Sequence, residues 1–87
     1  MEARDSLFVP ASLSGPGAVP FTIDFSNNDA AIPHNVAIAT QAGTESFRGK
    51  LIIGVQTVTY SIPALPPGAY QVRCTVHPAM TGSLTLQ

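Results

Sequence analysis

Phe21, Ile23 and Phe25 alternate with polar residues in "PFTIDFSNND". This is the period of a strand with one buried face, and Asn27, Asn28 and Asp29 close it as a turn. The same period recurs at Val36 and Ile38 in "HNVAIAT", at Val58, Tyr60 and Ile62 in "TVTYSI", at Tyr70, Val72 and Cys74 in "AYQVRC", and at Leu84 and Leu86 in "SLTLQ". Between these runs stand "GPGAVP", "QAGTE", "PALPPG" and "HPAMTG", whose glycines and prolines punctuate turns. Helix is nearly absent from the pattern. Gly49 and Gly54 interrupt "ESFRGKLIIGV", which reads as a loop with a short edge strand. The pattern predicts an all-β fold, a small antiparallel two-sheet β-sandwich in which inward residues of both sheets share one core.

Length narrows this further: 87 residues are enough for a single domain, residues 1–87, and no second core can be built from what remains. The chain is 45% hydrophobic, yet no apolar run reaches the ~18 residues of a membrane span, so the apolar residues are divided among short strands. A net charge of -1 comes from five acidic and four basic residues placed singly. Without a basic stripe to attract phosphate backbones, nucleic acid is not an expected partner. The N-terminal "MEARDSLFVP" is charged where a signal peptide carries its apolar region, so the sequence is expected either to begin after such a segment or never to have had one. A single cysteine forms no intramolecular disulfide, which leaves packing, or packing with a metal, to hold the domain together.

The chemistry concentrates in residues 74–80, "CTVHPAM", which contain the only cysteine, one of two histidines and one of two methionines. The stretch directly follows a strand and precedes Gly82 and the last strand, so it is expected to form a tight loop at one end of the sandwich. His34, in "IPHNV", opens another strand, and strand ends gather at sandwich ends. One thiolate, two imidazoles and one thioether form the donor set of a type 1 copper site, with His34, Cys74 and His77 in a trigonal plane and Met80 as the weak axial ligand. Zinc normally takes thiolate, imidazole or carboxylate, not thioether, whereas the soft sulfurs here favour Cu(I). Singly, each residue has a plainer explanation: Cys74 as a small buried hydrophobe, Met80 as a gap-filler, either histidine as a polar residue near a turn. The joint spacing, Cys-x2-His-x2-Met before "TG" with "PHN" upstream, favours a metal site.

"PPGAYQVRCTVHPAM" and "NNDAAIPHNV" resemble the two ligand-bearing segments of the cupredoxins, the small blue copper proteins, and look most like the amicyanin and plastocyanin branch. The resemblance covers the chain from Phe21 onward. It implies a Greek-key sandwich, one type 1 copper ion held by His34, Cys74, His77 and Met80, and a hydrogen bond from Asn35 toward Thr75. It further implies electron transfer without enzyme activity, a redox partner protein such as a cytochrome, oxidase or dehydrogenase, a monomer, and an extracytoplasmic or periplasmic location. His77 is the implied exit for the electron, ringed by Ile32, Pro33, Pro78 and Ala79. Val76 stands where such loops usually carry proline, and the region before Phe21 is short for the family, so the strand around "SLFVP" is expected to pair incompletely. Copper nitrite reductases and multicopper oxidases need further histidines, and the binuclear centre of cytochrome oxidase needs two cysteines; this chain has two histidines and one cysteine. The competing readings are a copper carrier using the same donors and, more weakly, a cysteine hydrolase, for which no third residue or oxyanion hole is legible.

Overall fold

A computed structural model describes all of residues 1–87. It contains strands and no helix: β1 (Glu2–Arg4), β2 (Leu7–Val9), β3 (Ser12–Gly15), β4 (Phe21–Asn27), β5 (Pro33–His34), β6 (Ala37–Thr40), β7 (Glu45–Arg48), β8 (Ile52–Ile53), β9 (Gln56–Ile62), β10 (Gly68–Cys74) and β11 (His77–Leu86). No helix is long and apolar enough to cross a membrane. Two main sheets form, of order β2-β1-β4-β9 and β3-β11-β10-β6-β7, with β5 and β8 paired as a separate ribbon.

The alternation read from the sequence decides the faces. Phe21, Ile23 and Phe25 stand opposite Ile62, Tyr60 and Val58, while Tyr70 and Val72 stand opposite Leu84 and Gly82. Residues of both sheets, among them Phe25, Ile38, Val72 and Leu84, join in one buried cluster, which is the expected sandwich core. Full burial of each large apolar side chain is worth about 1.5–3 kcal/mol.

Three details depart from the pattern. First, β1 runs parallel to β4, and β3 runs parallel to β11. Parallel neighbours need a crossover, and the chain supplies one by leaving β1, passing through β2, crossing to the other sheet as β3 and returning as β4. Second, β2, inside "SLFVP", is the edge of its sheet but pairs with β1 through all three of its residues. Third, "HPAMTG" is not a turn: β11 begins at His77, because Thr75 and Val76 suffice to reverse the chain and Cys74 pairs with His77. The ladder resumes at Arg73 and Thr81, so Pro78, Ala79 and Met80 bulge out of it without partners.

"ESFRGKLIIGV" supplies β7 at the edge of the larger sheet and then β8, with Gly49 between them. A Cβ on Gly49 would lie 2.6 Å from the ring of Tyr60, so only glycine lets the chain pass over that ring. Tyr60 is 5% exposed, stacks on Phe25 with centroids 6.0 Å apart, meets Phe47 edge-on, and donates its hydroxyl proton to the carbonyl of Lys50. Burial pushes its phenol up to about 12. An unfolded tyrosine ionises near pH 10, so the unfolded chain gives up this proton first. The stabilisation is therefore fully present below about pH 10 and is lost as pH rises from there toward 12, by about 2–3 kcal/mol in total. Urea midpoints measured from about pH 9 to 12 should fall accordingly, and Tyr60→Phe should flatten that part of the curve.

Candidate metal centre

His34 enters the site from the short ribbon, where Pro33 and His34 pair with Ile53 and Ile52. Cys74 closes β10 and His77 opens β11, so the tight reversal between them places both side chains together. Nδ1 of His34 lies 3.9 Å from Cys74 Sγ, and Nδ1 of His77 lies 3.5 Å from the same sulfur. The two rings are tilted, with centroids 4.8 Å apart, and the three donor atoms all fall within 4.8 Å of one another. Met80, in the bulge of β11, is 1% exposed and belongs to the buried cluster that also contains Cys74. The structure thus brings three of the four expected residues into one constellation and buries the fourth in the same cluster.

The spacing suits a metal ion. With metal–nitrogen bonds near 2.0 Å and metal–sulfur bonds near 2.3 Å, tetrahedral to trigonal angles put nitrogen and sulfur about 3.5–3.7 Å apart. The observed 3.5 and 3.9 Å lie close to these values without rearrangement of the frame. Burial alone would suit Cys74 and Met80 as ordinary core residues. It does not suit His34, which is 0% exposed and turns a ring nitrogen toward a thiol.

The frame around these residues is hydrogen-bonded throughout, and no buried side-chain nitrogen or oxygen lacks a partner. Asn35 is 1% exposed. Its Oδ1 accepts from the backbone N–H of Thr75 at 2.9 Å and from the Thr75 hydroxyl at 3.2 Å, while its Nδ2 donates to the carbonyl of Gly49 at 2.9 Å. The link from Asn35 to the turn after Cys74 is therefore present as the resemblance implied.

One residue at the site escaped the sequence reading. Asp29, read there as part of a turn, is 9% exposed and places Oδ2 2.7 Å from Nε2 of His34. The backbone N–H of Ser6 is the main influence holding this carboxyl below the usual carboxylate range; burial opposes it, and the His34 ring and the Asp5 N–H act with Ser6. An ionised carboxylate only accepts hydrogen bonds, so Nε2 carries a ring proton and Nδ1 is the nitrogen that faces Cys74. The available signal was a carboxylate five residues before a candidate histidine ligand.

His77 is only partly buried, unlike His34. The residues flanking it in the chain, Val76, Pro78 and Ala79, are apolar and exposed; on the segment that carries His34, Ile32 is exposed and Ile53, 65% exposed, stands opposite Pro33 in the ribbon.

No protein-family model matches the sequence. Over 61 residues the chain is 36% identical to amicyanin-alpha of Methylorubrum extorquens, an alignment that takes in 69% of this chain and 50% of that protein. The chain thus spans about half the length of the curated relative it matches. Among solved structures, auracyanin A of Chloroflexus aurantiacus, described as a "blue" copper protein, superposes with a TM-score of 0.84 at 19% identity, over 100% of this chain and 97% of that one. Dithionite-reduced auracyanin of Roseiflexus castenholzii gives 0.82 at 20% identity, over 99% and 94%. The chain has the cupredoxin fold, that of the blue copper proteins.

Proposed function

We propose that this chain is a mononuclear type 1 copper electron-transfer protein, a single cupredoxin-like domain over residues 1–87 that is not an enzyme, with His34, Cys74, His77 and Met80 as the ligands. The observation that supports this most strongly is the meeting of two Nδ1 atoms and one thiol sulfur at metal-ligand spacing. Bound copper would supply one-electron cycling between Cu(II) and Cu(I). The chain's own part is to keep its donors still through that cycle. His34 is buried and held at its far nitrogen, Cys74 is fixed at the end of a paired strand, and Asn35 ties the turn after Cys74 to Gly49. A carrier that exchanges its ion needs ligands that can open, and this braced arrangement favours moving an electron over moving the ion.

His77 is the electron's way in and out, being the imidazole with solvent access. The exposed apolar residues flanking it suit weak, short-lived docking of a redox partner protein, where interfaces are small. By similarity to amicyanin and auracyanin, the protein works as a monomer in an extracytoplasmic or periplasmic setting.

Adding copper(II) to the metal-free protein tests the reading. An intense visible thiolate-to-copper band that saturates at one equivalent is the expected result, and a colourless product would favour the carrier. In Met80→Gln the harder amide oxygen stabilises Cu(II) relative to Cu(I). Copper should be retained, and a tenfold preference for Cu(II) would lower the potential by about 59 mV. Voltammetry of the two proteins reads this directly, and an unchanged or raised potential would remove Met80 from the ligand set.

A further inference from the structure

The N-terminal hairpin ends in a two-residue turn, because Arg4 pairs with Leu7 across Asp5 and Ser6. Both central residues have positive φ, 53° for Asp5 and 57° for Ser6, as a type I′ hairpin turn demands. Such turns normally use Asn-Gly or Asp-Gly, since a residue with a Cβ is disfavoured in this region. In a two-residue turn the central N–H groups have no place in the ladder and need acceptors elsewhere. Here both find the same carboxylate: Asp5 donates to Oδ1 of Asp29 at 2.8 Å, and Ser6 donates to Oδ2 at 3.0 Å. Bonds of this kind to an ionised acceptor are among the stronger hydrogen bonds and offset the unfavourable turn conformation.

Oδ2 of Asp29 is also the atom that meets Nε2 of His34. The carboxylate is braced from its other side as well. Its own backbone N–H donates to Oδ1 of Asn27 at 2.9 Å, and Asn27, 0% exposed, donates in turn to the carbonyls of Ile32 and Ile52 on either side of the His34 ribbon. The hairpin is fastened to β4 by Asn28 N–H to the Ala3 carbonyl, by Ser26 N–H to the Met1 carbonyl, and by the Asn28 side chain against Glu2. An unbroken chain of hydrogen bonds therefore runs from the tip of the N-terminal hairpin to a candidate metal ligand.

We propose that the β1–β2 turn acts through Asp29 as a positioning device for His34, its two N–H groups aiming the carboxylate that fixes the ring and enriches it as a donor. The proposal rests on the copper reading above and adds to it a residue and a turn that lie outside the ligand set. A carboxylate behind a ligating histidine raises the basicity of the ligand, and losing such a partner typically lowers metal affinity about 10- to 100-fold. A more basic imidazole favours Cu(II) over Cu(I), so the intact clamp lowers the potential and its loss raises it.

Three measurements test this. In the metal-free protein, the Nε2 proton of His34 should appear in NMR as a downfield resonance protected from exchange, and Asp29→Ala should abolish it. In the copper-loaded protein, Asp29→Asn should keep the visible band while Cu(II) affinity falls about tenfold more than Cu(I) affinity, a rise in potential of about 59 mV. The third replaces the Asp5–Ser6 peptide bond by an ester, which removes one N–H donor and leaves every side chain in place. It should shift the potential in the same direction by a smaller amount and speed exchange of the His34 proton. Should the Asp29 variants fail to fold, the ester decides alone. A potential and a proton unchanged by the ester would overturn the role of the turn, and an Asp29→Asn potential equal to wild type would reduce Asp29 to a structural cap. A wild-type protein that gives no visible band with copper would overturn the copper reading, and the tuning role with it, while the NMR measurement would still register whether the clamp exists.

Discussion

Cys74→Ser yields a folded protein that stays colourless with copper(II). The sulfur of Cys74 lies 3.9 and 3.5 Å from the Nδ1 atoms of His34 and His77, the residue is 2% exposed, and it is the only cysteine of the chain, so no other thiol can take its place in the site. The visible band of a type 1 centre needs a thiolate as charge-transfer donor, and a hydroxyl is too hard and too weakly acidic to supply one. The fold should barely notice the change. Serine is slightly smaller, and its hydroxyl can hydrogen-bond to either imidazole nitrogen, so the urea midpoint of the metal-free protein should move by no more than about 1 kcal/mol. Absorption and unfolding curves on the same sample separate the two effects. A Cys74→Ser protein that turned blue would end the assignment.

The second large effect is on stability. Asn35→Ala removes one side chain that satisfies three groups: the N–H and hydroxyl of Thr75 and the carbonyl of Gly49. A buried group left unpaired costs about 1–3 kcal/mol; the two Thr75 groups are only partly buried and can turn to water, so the expected loss is about 2–5 kcal/mol and not three full penalties. A domain of this size has roughly 4–13 kcal/mol in all, which makes this a large fraction for one residue. At about 4–8 °C per kcal/mol, thermal melting followed by circular dichroism should drop by at least about 8 °C. A drop of only a few degrees would mean that water replaces the amide and that Asn35 is a minor brace.

Strand faces were legible because alternation is a local property: Phe21, Ile23 and Phe25 carry it in five residues whatever lies opposite. The cluster around Cys74 was legible because rare residue types fell within seven positions. The partners of those elements were not. Asp29 sits in "NND", which any local reading takes for a turn, and its donors, Asp5 and Ser6, lie 24 and 23 residues away. The parallel run of β1 beside β4 depends on a crossing between sheets, which no window along the chain can register. The early start of β11 was hidden for another reason: Pro78 and Gly82 look like breakers, yet Pro78 falls in the unpaired bulge. Gly82 stands opposite Val72, where a Cβ would come within 2.7 Å of the Ala11 carbonyl.

That last pair of facts separates the tunable part of this molecule from the part that must not change. Pro78, Ala79 and Met80 take no part in the ladder, and beyond them the pairing resumes at Arg73 with Thr81 and Val72 with Gly82. There the near contact with Ala11 leaves space for glycine alone and so resists slippage by a residue. Insertions or deletions between His77 and Met80 are consequently absorbed where they occur, and the hydrophobic faces of β10 and β11 stay in step. The sandwich behaves as a chassis and the bulge as an interchangeable part: donor spacing and solvent cover at the centre can drift over generations, or be redesigned in a single step, while the core around Phe25 and Val72 remains as it is.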